Sequence, residues 1–443
     1  MDNQTIYALS TVYGKSGVAV VRISGSRALD AVAAMTDIAV GSIKPRYAYF
    51  ADIKNKAGQL LDKAVVLYFK APASFTGEDI VEFQIHGSRA VISSVLESLS
   101  GLPEFRLAEP GEFSKRAFFN HKMDLTEAEG VADLIDSETA AQQKYALRQM
   151  EGGLKDLYEN WRRELLDILA HLEAYIDFPD EELPADIIDN IQNTVFKIKK
   201  DIEKHLNDNT AGERLRDGFR VVIIGEPNAG KSSLLNAVAK REAVIVSDIA
   251  GTTRDAIDIH LDIDGYPVIF TDTAGLREAA GIIEQKGIAM ALDKARDADI
   301  VICLFDCLKN IPQEFDLITE NKKIYVANKS DKLTDEQKIS LQNGGFLLIS
   351  AKYNQGIDRL LKAIGAKIKD KFAAGSAALI TRQRYREALR NAVNYLQEFN
   401  FTKEIELSAE DIRMACREIG KITGRIEVDE VLDKIFGSFC IGK

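Results

Sequence analysis

The sequence predicts a multidomain α/β protein, in which an α+β domain is followed by a helical domain that is interrupted by a doubly wound α/β domain. Residues 1–118 mix short apolar β-like runs with helix-like segments. Apolar residues recur at spacings of three and four between 125 and 215, as in amphipathic helices. Strand and helix patterns alternate between 219 and 371, as in an open sheet with helices on both faces.

These changes of pattern place the domain boundaries. We expect an N-terminal α+β domain at 1–118, the first part of a helical domain at 119–215, the α/β domain at 216–376, and the second helical part at 377–443. The last boundary follows from the small residues Ala373 to Ala377. Because insertions are tolerated where the two chain ends lie close together, residues on either side of the α/β domain should meet.

In the N-terminal domain, strands are predicted over 17–23 and 64–69 and a helix over 91–99. The helical domain shows its apolar stripe at Leu165, Ile168, Leu169, Leu172 and Ile176. The strands predicted for the α/β domain are 220–224, 257–263, 268–271, 300–305, 324–327 and 346–349. Amphipathic helices return over 382–396 and 408–419.

Composition limits the function classes. The 443 residues are 46% hydrophobic and 28% charged, which is typical of a folded globular protein. The net charge of −11 excludes a surface that attracts nucleic acid everywhere, so a polynucleotide must meet a local patch or a partner subunit, and no DNA partner is expected. Four cysteines are too few for a disulfide framework. With no apolar run of about 18 residues, we expect no membrane partner and a cytoplasmic location.

A phosphate-binding loop follows the first strand of the α/β domain. Gly225-Glu226-Pro227-Asn228-Ala229-Gly230-Lys231-Ser232 lies between the apolar strand 220–224 and the apolar helix 234–238, which is the context that this motif requires. Its glycines let main-chain N–H groups surround a phosphate at a helix N-terminus, while Lys231 reaches the β- and γ-phosphates and Ser232 binds Mg²⁺. The sequence therefore predicts a nucleoside triphosphate site.

Further motifs stand at the ends of later strands. Asp272 to Gly275 can hold the magnesium shell and meet the γ-phosphate. Asn328-Lys329-Ser330-Asp331 and Ser350-Ala351-Lys352 follow the next strands, and a carboxylate such as Asp331 can accept both the ring N–H and the exocyclic amine of guanine. The predicted nucleotide is GTP, and the alternative for Asp331 is a polar surface turn.

The hydrolytic machinery differs from that of Ras, because Leu276 stands where a water-orienting Gln would follow Gly275. Residues 247–255 supply hydroxyls and a glycine where the first switch should lie, with Thr253 as the second magnesium ligand; a polar surface loop is the alternative. The candidate nucleotide-binding residues are Asn228, Ala229, Gly230, Lys231, Ser232, Ser233, Ser247, Thr252, Thr253, Asp272, Thr273, Ala274, Gly275, Asn328, Lys329, Asp331, Ser350, Ala351 and Lys352. Among them, Lys231, Thr253 and Gly275 are candidate catalytic residues.

Together these motifs resemble the MnmE (TrmE) family of tRNA modification GTPases. The resemblance rests on the phosphate loop, on 251–255, on 272–278, on Asn328 to Asp331 and on Cys440-Ile441-Gly442-Lys443. In the first domain it is carried by Val21 to Gly25, Ser74 to Asp79 and Pro110 to Phe118, so it covers the whole chain. It implies that the α/β domain is a Ras-like GTPase domain.

The resemblance also implies how GTP is hydrolysed. In this family the GTPase domains of two protomers pair across their nucleotides, and K⁺ stands where an arginine finger would act. The matching potassium ligands are Asn228, Ser247, Ile249 through its carbonyl, and Thr252. Glu284 matches the catalytic glutamate that orients water, although a carboxylate in the first turn of a helix would be placed in the same way.

For the N-terminal domain the resemblance implies constitutive homodimerisation and binding of a tetrahydrofolate derivative, 5,10-methylene- or 5-formyl-tetrahydrofolate. The matching folate residues are Arg22, Glu82, Lys122 and Lys443. Cys440 is implied to lie near the folate and uridine pocket. Whether it acts in uridine chemistry or is structural stays open, because no neighbouring His activates it in the sequence.

The function implied is that of a potassium-stimulated, magnesium-dependent GTPase. With the flavoprotein MnmG (GidA), in a heterotetramer, it would add a carboxymethylaminomethyl or aminomethyl group at C5 of the wobble uridine (U34) of certain tRNAs. Folate would supply the carbon, and FAD and NADH would belong to the partner. One alternative is a GTP-switch binding protein of ribosome assembly, and another is a folate-storage module with a degenerate nucleotide site.

Overall fold

The computed structural model describes residues 4–177, 185–207, 210–240, 258–271, 293–373, 379–426 and 429–442. Its residues group into two compact units. The first comprises Met1–Ala132, Met150–Glu159 and Ile419–Lys443, and the second comprises Asp133–Gln149 and Asn160–Glu418. In these ranges no helix has the length and apolar character of a membrane-spanning segment.

The first unit contains a six-stranded sheet. Helices α1 (Ala28–Met35) and α2 (Arg89–Ser100) contribute buried residues to the apolar core beside this sheet. The strands are β1 (Thr5–Leu9), β2 (Ser16–Ser24), β3 (Tyr49–Lys54), β4 (Leu60–Phe69), β5 (Ile80–Gly87) and β6 (Phe105–Leu107), in the order β3-β4-β5-β2-β1-β6. Neighbours pair antiparallel, except β1 with β6. Inward-facing residues such as Val21, Ile23 and Phe83 are fully buried, which confirms the α+β prediction.

Helices α3 (Glu112–Phe119) and α14 (Asp429–Gly437) also belong to the first unit. Phe118 and Phe436 belong to one apolar cluster with Leu125 and Leu432. The chain after α14 returns to the sheet: Ile441 forms a β-bridge with Pro110, and the Ser10 hydroxyl donates to the Gly442 carbonyl.

Helices before and after the α/β domain form the helical part of the chain. They are α4 (Leu125–Ile135), α5 (Ala140–Met150), α6 (Gly153–Asp177), α7 (Ala185–Leu206), α8 (Ala211–Asp217), α12 (Gln383–Glu398) and α13 (Ile405–Thr423). The stripe predicted from the spacing is buried where Leu165, Ile168 and Leu172 lie on α6. The predicted all-α domain is therefore confirmed.

The second unit contains a doubly wound sheet. Its strands are β7 (Phe219–Ile224), β8 (Asp258–Ile263), β9 (Tyr266–Thr271), β10 (Ile300–Asp306), β11 (Lys323–Asn328) and β12 (Leu347–Leu348), in the order β12-β11-β10-β7-β9-β8. Neighbours are parallel apart from the antiparallel pair β8 and β9. Helices α9 (Lys231–Ala239), α10 (Asp335–Asn343) and α11 (Ile357–Ala373) accompany the strands. This order reverses between β7 and β10, where ligands bind at the carboxyl ends of the strands.

The two chain segments that flank the α/β domain are joined, as the insertion requires. Arg386 of α12 donates to Glu213 of α8 over 3.0 Å. Asp133 pairs with Arg216 before the domain at 3.1 Å and with Arg382 after it at 2.8 Å. The predicted proximity of the two ends is therefore confirmed.

Candidate functional site

The loop between β7 and α9 has a main-chain path that needs its glycines. Gly230 has φ +103°, and Asn228 has φ +65°, both in the left-handed region. A Cβ added at Gly225 would lie 2.0 Å from the Leu304 carbonyl oxygen, and one at Gly230 would lie 2.2 Å from Nδ2 of Asn328. Side chains at these two positions would therefore displace the loop.

The loop leads into the N-terminus of α9. Among the described residues, no side chain caps this helix at Gly230, so the amides of its first turn can donate to an anion. Ser232 and Ser233 are exposed in that turn. Nζ of Lys231 lies over the loop and donates to the carbonyls of Gly225 (2.7 Å) and Glu226 (3.1 Å). The arrangement suits a phosphate group.

Asn328, at the end of β11, joins three loops. It is buried, and its amide nitrogen donates to the Ala229 carbonyl at 2.8 Å. Its carbonyl oxygen accepts the main-chain N–H groups of Lys329 at 2.8 Å and Ala351 at 3.1 Å. Asn328 therefore fixes the phosphate loop relative to the two loops that carry the guanine motifs.

Asp331 is oriented by the loop after β12. The hydroxyl of Ser350 donates to Oδ1 of Asp331 at 2.6 Å, and the N–H of Ser330 donates to the Ile349 carbonyl at 3.0 Å. A carboxylate held in this way offers acceptors in a fixed direction, which is what bidentate recognition of guanine needs.

These loops enclose a cavity of about 470 Å³. It brings together the described members of the predicted nucleotide site except Ala229, and it adds one residue, Lys332, that the sequence analysis did not name. The lining residues are Asn228, Gly230, Lys231, Ser232, Ser233, Asn328, Lys329, Asp331, Lys332, Ser350, Ala351 and Lys352.

The sequence analysis missed an ion pair between Asp306 and Lys329 of the guanine motif. Asp306 ends β10 beside Asn328, and its carboxylate accepts from Nζ of Lys329 at 2.6 Å. Burial alone would raise the pKa of Asp306, but the hydrogen bonds from the Lys329 ammonium and the Leu308 N–H together lower it below its ordinary value. No pattern in the sequence indicated this pair, because it depends on β10 lying beside β11.

Several predicted site residues lie outside the described residues. They are Ser247, Ile249, Thr252, Thr253, Asp272, Thr273, Ala274, Gly275, Glu284 and Lys443. Their assigned roles stay predictions.

A second group of predicted residues meets on the N-terminal sheet. Arg22 on β2 stands opposite Glu82 on β5, and its Nε donates to Oε1 of Glu82 at 2.9 Å. The guanidinium lies 5.6 Å from the ring centre of Phe75 and 5.8 Å from that of Phe113. This pair between aromatic rings could bind a flat, charged ligand. Phe75 and Phe113 were not named as site residues, although both lie in motifs that carry the family resemblance.

Lys122 reaches the loop that carries Phe75, because its Nζ donates to the Pro72 carbonyl at 3.0 Å. Cys440 is exposed, and its carbonyl accepts from the Gly111 N–H at 3.4 Å. The 440–442 segment is thus tied to the N-terminal domain.

Two family models match this chain. The family model described as "MnmE helical domain" matches residues 125–440, and the one described as "GTP-binding protein TrmE N-terminus" matches 5–122. A solved structure described as the FeoB G-domain from Methanococcus jannaschii is 22% identical and covers 34% of this chain and 98% of its own, with a TM-score of 0.26.

Full-length relatives are also found, each named tRNA modification GTPase MnmE. That of Paramagnetospirillum magneticum is 46% identical over 443 residues and covers 100% of both chains. That of Wolbachia sp. subsp. Brugia malayi is 45% identical, over 100% of this chain and 99% of its own. That of Ehrlichia chaffeensis is 46% identical, over 99% of this chain and 100% of its own. With such similarity along its whole length, the chain belongs to the family of the tRNA modification GTPase MnmE.

Proposed function

We propose that this tRNA modification GTPase is stimulated by potassium and acts with the flavoprotein MnmG on the wobble uridine (U34) of certain tRNAs. It would add a carboxymethylaminomethyl or aminomethyl group at C5, with the carbon drawn from a tetrahydrofolate derivative. The observation that carries this proposal is the cavity where the phosphate loop, Asn328, Asp331 and Ser350 meet, in a chain whose N-terminal sheet presents a second site.

In the proposed nucleotide site, the amides of α9 and the Lys231 ammonium bind the phosphates, and Asp331 binds guanine. Ser232 lies exposed in the cavity wall, so its hydroxyl fits a magnesium ligand, with Thr253 as the second. Bound Mg²⁺ neutralises charge on the β- and γ-phosphates. Asp272 and Gly275 would hold the metal shell and meet the γ-phosphate.

Potassium would be held by Asn228, Ser247, Ile249 and Thr252, where it supplies the positive charge that an arginine finger supplies elsewhere. Asn228 is part of the phosphate loop and lines the cavity, which supports its assignment as a potassium ligand. Glu284 would orient the attacking water, since Leu276 cannot. Pairing of two GTPase domains across the nucleotides would complete the site.

The N-terminal domain would bind the folate. Glu82 can accept from the pterin edge, while Arg22, Lys122 and Lys443 can bind the glutamyl carboxylates. The rings of Phe75 and Phe113 flank Arg22 and supply flat apolar surface. Cys440 stands as a candidate for uridine chemistry.

The proposed division of labour follows the predicted domains: folate binding and homodimerisation by 1–118, GTP hydrolysis by 216–376, and a helical framework of 119–215 and 377–443. MnmG would join as a heterotetramer in the cytoplasm and carry FAD and NADH. A GTP switch of ribosome assembly would leave the Arg22–Glu82 site without a role.

The potassium claim is tested by GTP turnover at equal ionic strength in KCl and NaCl. We expect turnover at least about tenfold faster in KCl, because a bound cation that stabilises transition-state charge is worth that much or more. An Asn228→Ala variant should lose the difference between the salts. Equal rates for the wild-type protein in the two salts would remove the claim.

A further inference from the structure

Strands β8 and β9 form a short hairpin within the second unit. Asp258 and Thr271 are partners at its open end, and Ile263 and Tyr266 are partners at its turn. The turn residue Asp264 has φ +55° and Gly265 has φ +87°, as in the two-residue turn whose twist matches that of the strands. Six residues per strand give a length of about 20 Å.

The open end of the hairpin lies on the nucleotide side of the sheet. Thr271 pairs with Val222 of β7, three residues before Gly225 begins the phosphate loop. In the chain, residues 241–257 lead directly into β8, and residues 272–292 follow directly from β9. The segments proposed to sense the γ-phosphate are thus attached to the two strands of this hairpin.

The turn of the hairpin meets the beginning of α5. The N–H of Ala141 donates to the Gly265 carbonyl at 3.0 Å. Ala141 is the second residue of α5, so its N–H is one of the four that have no partner within the helix. Nδ1 of His260 on β8 also lies 3.9 Å from Oε2 of Glu138, just before α5.

Tyr266 belongs to two apolar clusters. Its ring packs edge to face with Phe219 in the core of the α/β sheet, with ring centres 6.4 Å apart. It also packs against the cluster of Ala211 and Leu215 on α8 and Leu379 after α11. Ala141 and Tyr145 of α5 pack against the same cluster, and the Tyr145 hydroxyl accepts the Leu379 N–H at 3.0 Å.

We propose that the β8–β9 hairpin transmits the nucleotide state to the helical segments, with Tyr266 and the Gly265–Ala141 hydrogen bond as the coupling contacts. The inference rests on the function proposed above, because it needs GTP at the open end. Packed contacts of this kind have discrete arrangements, so a displacement of either strand at the open end must be accommodated at α5, α8 and Leu379. Coupling is reciprocal, so these helices should in turn bias nucleotide affinity.

Hydrogen exchange on the full-length protein tests the proposal, with and without guanosine 5′-(β,γ-imido)triphosphate. In the wild-type protein, addition of the nucleotide analogue should change the amide exchange rate by about fivefold in peptides of α5. The exchange rate in the phosphate loop should change as well. Tyr266→Ala should lose the α5 response but keep that of the phosphate loop. It should hydrolyse GTP within about threefold of the wild-type rate yet form less than about a tenth of the modified tRNA.

Asp264→Asn is the matched control, because it removes the 2.8 Å ion pair to Lys369 of α11, inside the α/β domain, and leaves the contacts with α5 in place. It should behave like the wild type. If Tyr266→Ala does not fold, Tyr266→Leu, which retains apolar bulk, should reduce the α5 response.

Two results would overturn the coupling proposal without affecting the proposed function. One is hydrogen exchange in wild-type α5 that does not change with the nucleotide, and the other is an undiminished α5 response in the Tyr266 variants. If the wild-type phosphate loop also fails to respond, GTP binding itself is refuted and the coupling with it.

Discussion

The nucleotide site and the N-terminal site are built by different means. The first depends on the main chain: Gly225 and Gly230 allow the loop path, the first turn of α9 lines the cavity, and Asn328 ties adjacent loops together. The second depends on side chains that strand pairing sets opposite each other, Arg22 and Glu82, which are 60 residues apart in the chain.

This difference explains why one site is visible in the sequence and the other is not. A main-chain site needs glycines and small polar residues at fixed positions in a few consecutive residues, so it leaves a motif. A site formed by charged side chains on distant strands leaves no local pattern, because surface ion pairs use the same residue types. Arg22 and Glu82 were identified only by family resemblance.

The largest effect is expected from Asp331→Asn in the nucleotide site. An amide at this position presents a donor to the donors of guanine, so GTP affinity should fall about 1,000-fold and xanthosine triphosphate should bind better than GTP. Competition binding with GTP, ATP and xanthosine triphosphate measures this. Asp335→Asn, an exposed acid paired with Lys338, should change nothing. Equal weakening for all three nucleotides would contradict the role of Asp331.

The Glu284→Ala variant tests whether a side chain also contributes to catalysis in the nucleotide site, which is formed mainly by the main chain. We expect kcat to fall about 100-fold while GTP affinity stays within about twofold, because the glutamate is proposed to act only in the transition state. Single-turnover kinetics and equilibrium titration separate the two quantities. A large loss of affinity would instead assign Glu284 to binding.

Arg22→Ala tests the side-chain site. Loss of a charge-assisted hydrogen bond to the folate should weaken 5-formyltetrahydrofolate binding about 30-fold in calorimetry. Arg27→Ala, whose partners are Asp30 and Glu104, is the matched control and should bind normally. No heat with the wild-type protein, or undiminished binding after deletion of Lys443, would refute this site.

The smallest effect on GTP binding is expected from a change in the Asp306–Lys329 ion pair, which holds one lining residue of the nucleotide cavity. The pKa of Asp306 is lowered from its ordinary 3.8, so its contribution to stability is present above pH 3.8 and is lost as the pH falls below that value. Asp306→Asn should weaken GTP binding only about threefold.

Thermal melts at pH 7 and at successively lower pH test this sign. The wild-type protein should be more stable than Asp306→Asn at pH 7, and the difference should shrink below pH 4. A difference that is constant with pH would show that the ion pair does not contribute in this way.

Most of the fold could be predicted from the sequence, because alternating apolar patterns mark the strands. Strand β7 was predicted within one residue, whereas β4 begins four residues earlier than predicted, at Leu60, since Asp62 and Lys63 interrupt its apolar run. The predicted strand 346–349 shortens to Leu347–Leu348. The predicted and observed strand ends therefore differ most in β4, where polar residues interrupt the apolar run, and in β12, where the strand pairing is short.

Contacts that depend on pairing register could not be predicted. The Asp306–Lys329 pair needs β10 beside β11, and the stacking of Phe75 on Arg22 needs the loop between β4 and β5 to fold over β2. Neither follows from spacing. The Gly265–Ala141 contact likewise joins segments more than 120 residues apart.

The central claim is that GTP hydrolysis at one site and one-carbon chemistry at the other serve a single tRNA modification. It is tested most directly by nucleoside mass analysis of tRNA from a strain lacking this protein, complemented with wild type, Lys231→Ala or Arg22→Ala. The account predicts that the C5-modified wobble uridine disappears and that only the wild-type protein restores it. Full modification with either variant, or unchanged tRNA in the deletion strain, would contradict the account.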